Sequence, residues 1–153
     1  MSMVTSPTRP AWRLVLRAEF AELPRLTGWV EDFAQYAKLP SEQTFAIQLA
    51  VEEAVANIIA YSGAAENGQE IAVELGASGG EVLAVIEDRG RPFDPTTVPP
   101  RSQPASLDDA EVGKLGIHFM RNFASEMRYE GCNGCNRLTL KFSPAEAASK
   151  RPA

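Results

Sequence analysis

The chain has 153 residues and a mass of 16.6 kDa, enough for one domain that holds its own core. Its residues are 44% hydrophobic and 23% charged, as in ordinary globular proteins, and its net charge of −5 argues against nucleic acid as a direct partner. No apolar run approaches the roughly 20 residues of a membrane span. The first ten residues lack the apolar core of a signal peptide, and two cysteines are too few for a disulfide framework. A cytoplasmic protein with no membrane contact is expected. Residues 11–143 are expected to form a single domain, between disordered ends at 1–10 and 144–153 that are small, polar and marked by proline.

Residues Trp12–Phe20, rich in aromatic and branched side chains, read as a strand. A helix is predicted over about Leu23–Lys38, with Leu26, Val30, Phe33 and Ala37 at helical spacing. Leu39-Pro40 ends it, and Ser41 is the predicted N-cap of a second helix that runs to about Tyr61. Ile71–Leu75 and Val82–Asp88 read as strands joined across Gly76–Gly80. Five of the eleven prolines then fall between Pro92 and Pro104, which rules out regular structure there. A third helix is predicted from near Gly113–Gly116 to about Glu126. Met127–Cys132 and Cys135–Phe142 follow as a hairpin turned on Asn133-Gly134. Helices and strands do not alternate strictly, so the expected fold is an α/β two-layer sandwich. Its sheet is mixed and mostly antiparallel, with the helices on one face.

Three segments carry chemistry. On the second helix, Ile47, Val51, Ala54, Val55 and Ile58 share one stripe, while Glu53 and Asn57, four residues apart, share another with Ala46, Ala50 and Ala60. A carboxylate beside a carboxamide suits a hard cation or the acceptance of a hydroxyl proton, though a solvated polar face has the same composition. Glu52 points elsewhere and reads as surface. In the second segment the apolar strand Val82–Ile86 runs out at Asp88, two residues before Gly90. A carboxylate there can accept a hydrogen bond from an exocyclic amine, and Gly90 permits close backbone approach; an ordinary turn uses the same residues. In the third, Gly113 and Gly116 lead into a helix, where free N–H groups and the helix dipole favour polyphosphate, with Lys114 as a point charge. A glycine hinge would look alike.

Taken together, the three resemble the boxes of the GHKL ATPase/kinase superfamily, the Bergerat ATP-binding fold. More narrowly they resemble the anti-sigma-factor serine kinases of the RsbW/SpoIIAB type. The resemblance covers about residues 12–142. It implies that Glu53 is the general base and that Asn57 ligates magnesium. It also implies that Asp88 recognises the adenine amino group with Gly90 against the base, and that Gly113, Lys114 and Gly116 hold the phosphates of ATP. Pro92-Phe93-Asp94-Pro95 continues the second box, and residues 95–112 occupy the position of the mobile lid. Lys114 stands where members often carry glycine. It either strains a left-handed backbone position or contacts the γ-phosphate. Tyr61 takes a place where relatives often carry His.

The resemblance thus implies ATP and Mg2+ as cofactors and an enzyme that is a protein serine/threonine kinase acting by partner switching. The implied acceptor is a serine of a STAS-domain anti-anti-sigma protein, with a sigma factor as competing partner and a homodimer as the working form. The alternative is a non-catalytic, nucleotide-gated binding module. His118, the one histidine, reads as structural, and a complete histidine kinase is not expected. Cys132 and Cys135 face each other across the predicted turn at a spacing that tolerates a disulfide. A cytoplasmic compartment would keep them reduced, and two incidental thiols are expected. Trp12, Trp29, Phe33 and Phe123 read as packing.

Overall fold

A computed structural model of the chain describes residues 12–62, 68–91, 123–132 and 134–144. The expected lid at 95–112, Gly113, Lys114, Gly116 and His118 lie outside the described residues, as do 1–10 and 145–153. The elements are β1 (Trp12–Arg17), a 3-10 turn (Phe20–Glu22), α1 (Leu23–Tyr36), α2 (Ser41–Tyr61), β2 (Glu70–Ser78), β3 (Glu81–Asp88), β4 (Glu126–Cys132) and β5 (Cys135–Phe142). The strands form one sheet in the order β1-β2-β3-β5-β4. Every described pair is antiparallel, in keeping with the expected mostly antiparallel sheet.

The strands alternate as a half-buried sheet should. Leu14 and Leu16 on β1, Ile71, Val73 and Leu75 on β2, Val82, Ala84 and Ile86 on β3, and Leu138, Leu140 and Phe142 on β5 are buried in one cluster. Leu26, Val30 and Phe33 of α1 and Ile47, Val51 and Val55 of α2 complete that cluster, so the helices cover one face of the sheet in two layers. Trp12 packs on Trp29, Phe33 and Tyr36, with ring centroids 5.5–6.3 Å apart, and seals the junction of β1 and α1. Phe123 meets Phe45 edge to face at 6.1 Å. On the opposite face of the sheet, ion pairs bridge Arg13 to Glu74 at 3.0 Å and Arg137 to Glu87 at 2.6 Å.

Several boundaries move for local reasons. Gly79 and Gly80, both at positive φ, make a two-residue turn, so β2 and β3 extend to Ser78 and Glu81. Helix α1 stops at Tyr36, and Lys38 at φ 55° turns the chain out. Pro40, not Ser41, is the N-cap residue of α2, and no side chain caps that end. Glu126, predicted as helical, opens β4.

Among the described residues, no helix is long and apolar enough to cross a membrane.

Candidate nucleotide site

Helix α2 is held at both ends. At its start the buried Gln43 donates from Nε2 to the carbonyls of Gly80 at 2.8 Å and Ser143 at 3.0 Å, locking the helix to the β2–β3 turn and the end of β5. At its end Ser62 caps the helix, donating from N to Ile58 O at 3.0 Å. The carbonyl of Ser62 then accepts from Arg91 N at 2.6 Å, which ties the helix to the turn after β3. Asn57 and Asp88 therefore stand on elements joined to each other, one on the helix layer and one at the end of a central strand.

Asn57 is only 3% exposed, and among the described residues neither Oδ1 nor Nδ2 has a hydrogen-bond partner. A solvated polar face, the plain alternative for this stripe, does not fit a buried side chain. An unpartnered buried carboxamide is costly, and a polar ligand or cation that engages it removes the cost. Of its small neighbours, Ala50 is buried in the core and Ala60 is exposed, so the stripe is not uniformly open. Glu53, one turn earlier, is half-buried. Burial, and to a smaller degree the neighbouring Glu52 carboxylate, push its carboxyl above the ordinary 4.5. Glu52 is not a free surface residue, as its Oε2 accepts from Thr27 Oγ1 at 2.9 Å and joins α2 to α1.

Asp88 continues the buried phase of β3 and is 5% exposed. Burial raises its carboxyl above the ordinary 3.8, against the opposing pull of hydrogen bonds from Gly90 N and Asn136. Gly90 N donates to Asp88 Oδ2 at 2.8 Å, closing the turn. The close approach that position 90 permits is, in the structure, to Ser62: a Cβ there would fall 2.6 Å from the Ser62 carbonyl oxygen and collide with the Ser62 side chain. An open cavity of about 610 Å³ near the same strand ends is lined by Arg17, Glu19, Gln69, Glu70 and Arg89, and by none of Glu53, Asn57 or Asp88. Asn57, buried and without a partner among the described residues, is the better guide to the site.

Residues present fit a magnesium–nucleotide group in two respects. Glu53 and Asn57 supply oxygens of the kind a hard cation takes alongside phosphates. Asp88 supplies a shielded acceptor for an amine. Sequence reasoning missed Asn136, Tyr129, Ser62 and Gln43. Two of these carried a signal: Asn136 falls in phase with Leu138, Leu140 and Phe142, and Gln43 in phase with Ile47 and Ala50, polar residues on faces otherwise apolar. Cys135 is disulfide-bonded rather than a free thiol, which corrects the expectation of two incidental thiols. The backbone register sets Cys132 opposite Cys135 at the end of the β4–β5 ladder, with Gly134 at φ 76° in the turn.

Residues 16–142 match the histidine kinase-like ATPase domain family, and the chain belongs to that family. Among its relatives is the serine/threonine-protein kinase BtrW of Bordetella bronchiseptica, 32% identical over 114 residues that make up 73% of this chain and 79% of the relative. Similar solved structures include the RsbU and RsbW domains of Rv1364c from Mycobacterium tuberculosis, with TM-score 0.53 and 18% identity over 88% of this chain. The histidine kinase domain of a blue-light-activated kinase from Erythrobacter litoralis EL346 gives TM-score 0.53 and 13% identity over 84% of this chain. The match spans 33% of the first of these solved chains and 62% of the second, and at such identities the likeness is one of fold.

Proposed function

We propose that the protein is an ATP-dependent protein serine kinase that also works by partner switching. The observation that carries this reading is Asn57, buried at 3% exposure with a carboxamide that has no partner among the described residues, one helical turn from a carboxylate whose affinity for protons is raised. Phosphoryl transfer asks for positioning and charge compensation more than for covalent chemistry, so a few well-placed groups suffice. Glu53 accepts the proton of the target serine hydroxyl, and its raised pKa makes it a better base than an exposed glutamate. Asn57 would hold magnesium, which would neutralise charge on the phosphates. Asp88 takes the adenine amine, with Gly90 setting the turn that presents it. Gly113, Lys114 and Gly116, outside the described residues, are the groups assigned to the phosphates in this reading.

The acceptor is a serine of a small STAS-domain anti-anti-sigma protein, a sigma factor is the competing partner, and the working form is a cytoplasmic homodimer. The family match and the serine/threonine-kinase relative support the kinase part of this reading, and the likeness to an RsbW domain supports its fold. The test is incubation of the purified chain with γ-labelled ATP, magnesium and lysate from its source. Label on one small protein supports the kinase. ATP binding without label on any protein favours the nucleotide-gated binding module instead.

A further inference from the structure

Asp88 and Asn136 face each other across the β3–β5 ladder, in the last register position before the 88–91 turn. Both lie where the apolar face of the sheet ends, at 5% and 6% exposure. Asn136 Nδ2 lies 3.2 Å from Asp88 Oδ2, 3.0 Å from the Gly90 carbonyl and 3.5 Å from the Arg91 carbonyl, all of them acceptors. On the other side, Tyr129 donates from its hydroxyl to Asn136 Oδ1 at 2.5 Å. Chemistry fixes the amide orientation, because a flipped amide would set Oδ1 against a carboxylate and two carbonyls. Among the described residues, both hydrogen bonds to Asp88 fall on Oδ2, from Gly90 N and Asn136 Nδ2. None falls on Oδ1.

We infer that Asn136, oriented by Tyr129, is a positioning residue that occupies Asp88 Oδ2 and so leaves Oδ1 as the oxygen presented to the exocyclic amine of the base. The inference rests on the proposed adenine role of Asp88. Asn136 also grips the carbonyls of Gly90 and Arg91, so one side chain fixes both the rotamer of the carboxylate and the turn beside it. Adenine offers an amine donor at its six position, where guanine offers a carbonyl that a fixed carboxylate oxygen repels. Discrimination between the two bases therefore depends on the carboxylate being held, which a purely structural hydrogen bond would not affect.

The test measures ATP and GTP affinity by calorimetry on the full chain, for the wild type, Asn136→Ala and Tyr129→Phe, with a thermal melt of each. The wild type is expected to prefer ATP. A wild type without that preference overturns the adenine role of Asp88 and this inference with it. If the preference holds, Asn136→Ala is expected to weaken ATP binding about tenfold and leave GTP nearly unchanged. Tyr129→Phe, which keeps the ring and removes one hydroxyl, is expected to lower the ATP-to-GTP ratio about threefold. An unchanged ratio in a folded Asn136→Ala chain overturns the positioning role while leaving the kinase reading intact. Should Asn136→Ala not fold, an unchanged ratio in Tyr129→Phe does the same.

Discussion

Gly90 stands against Ser62 so closely that a Cβ at position 90 would lie 2.6 Å from the Ser62 carbonyl oxygen. The same carbonyl accepts from Arg91 N at 2.6 Å, so the end of α2 and the turn after β3 form one joint. Glu53 and Asn57 sit on one side of that joint and Asp88 on the other. The distance between the two halves of the proposed site is therefore set by a contact that only glycine allows.

Gly90→Ala is accordingly expected to cost about 1–3 kcal/mol of stability, because the new methyl meets backbone and cannot be accommodated by a side-chain rotation. Urea denaturation checks this. ATP affinity should fall in the same variant, since the turn must move away from α2. A chain as stable as the wild type, with ATP affinity intact, would show that the joint is loose.

The sheet was legible because its alternation is strict, and the helix spacing was legible because apolar stripes are long. Neither pattern told whether Asn57 is covered. An asparagine on a polar stripe looks solvated in sequence, and only packing of α2 against the sheet shows it to be 3% exposed. The role of Gly90 was half legible: the need for a small residue could be read, but its partner, Ser62, lies 28 positions earlier. Ser41 was chosen as the N-cap from residue type, whereas Pro40 already holds the extended backbone that precedes a helix, at ψ 152°. Asn136 sat in plain view, in phase with buried leucines, and went unread because it lies outside the recognisable boxes.

The carboxyl of Asp88 makes a pH signature opposite in sign to that of most acidic residues. Burial raises its pKa above 3.8, so the native state holds the proton more tightly than the unfolded chain does. Its contribution to stability is then full below about pH 3.8 and is lost as pH rises through the raised value. Asp88→Asn should therefore be more stable than the wild type at pH 7, with the gap closing towards pH 3, while losing ATP binding. Thermal melts across that range decide it. A variant less stable at pH 7 than at pH 3, relative to the wild type, contradicts the sign.

The most direct test of the central claim separates binding from transfer at Glu53. Calorimetry of ATP with the wild type and Glu53→Ala, alongside transfer of γ-label to the acceptor protein, gives both quantities on the same preparations. The account predicts ATP affinity within about twofold of the wild type and transfer reduced at least a hundredfold, as removal of a general base requires. Transfer that persists, or that falls only in step with ATP binding, would contradict Glu53 as the base.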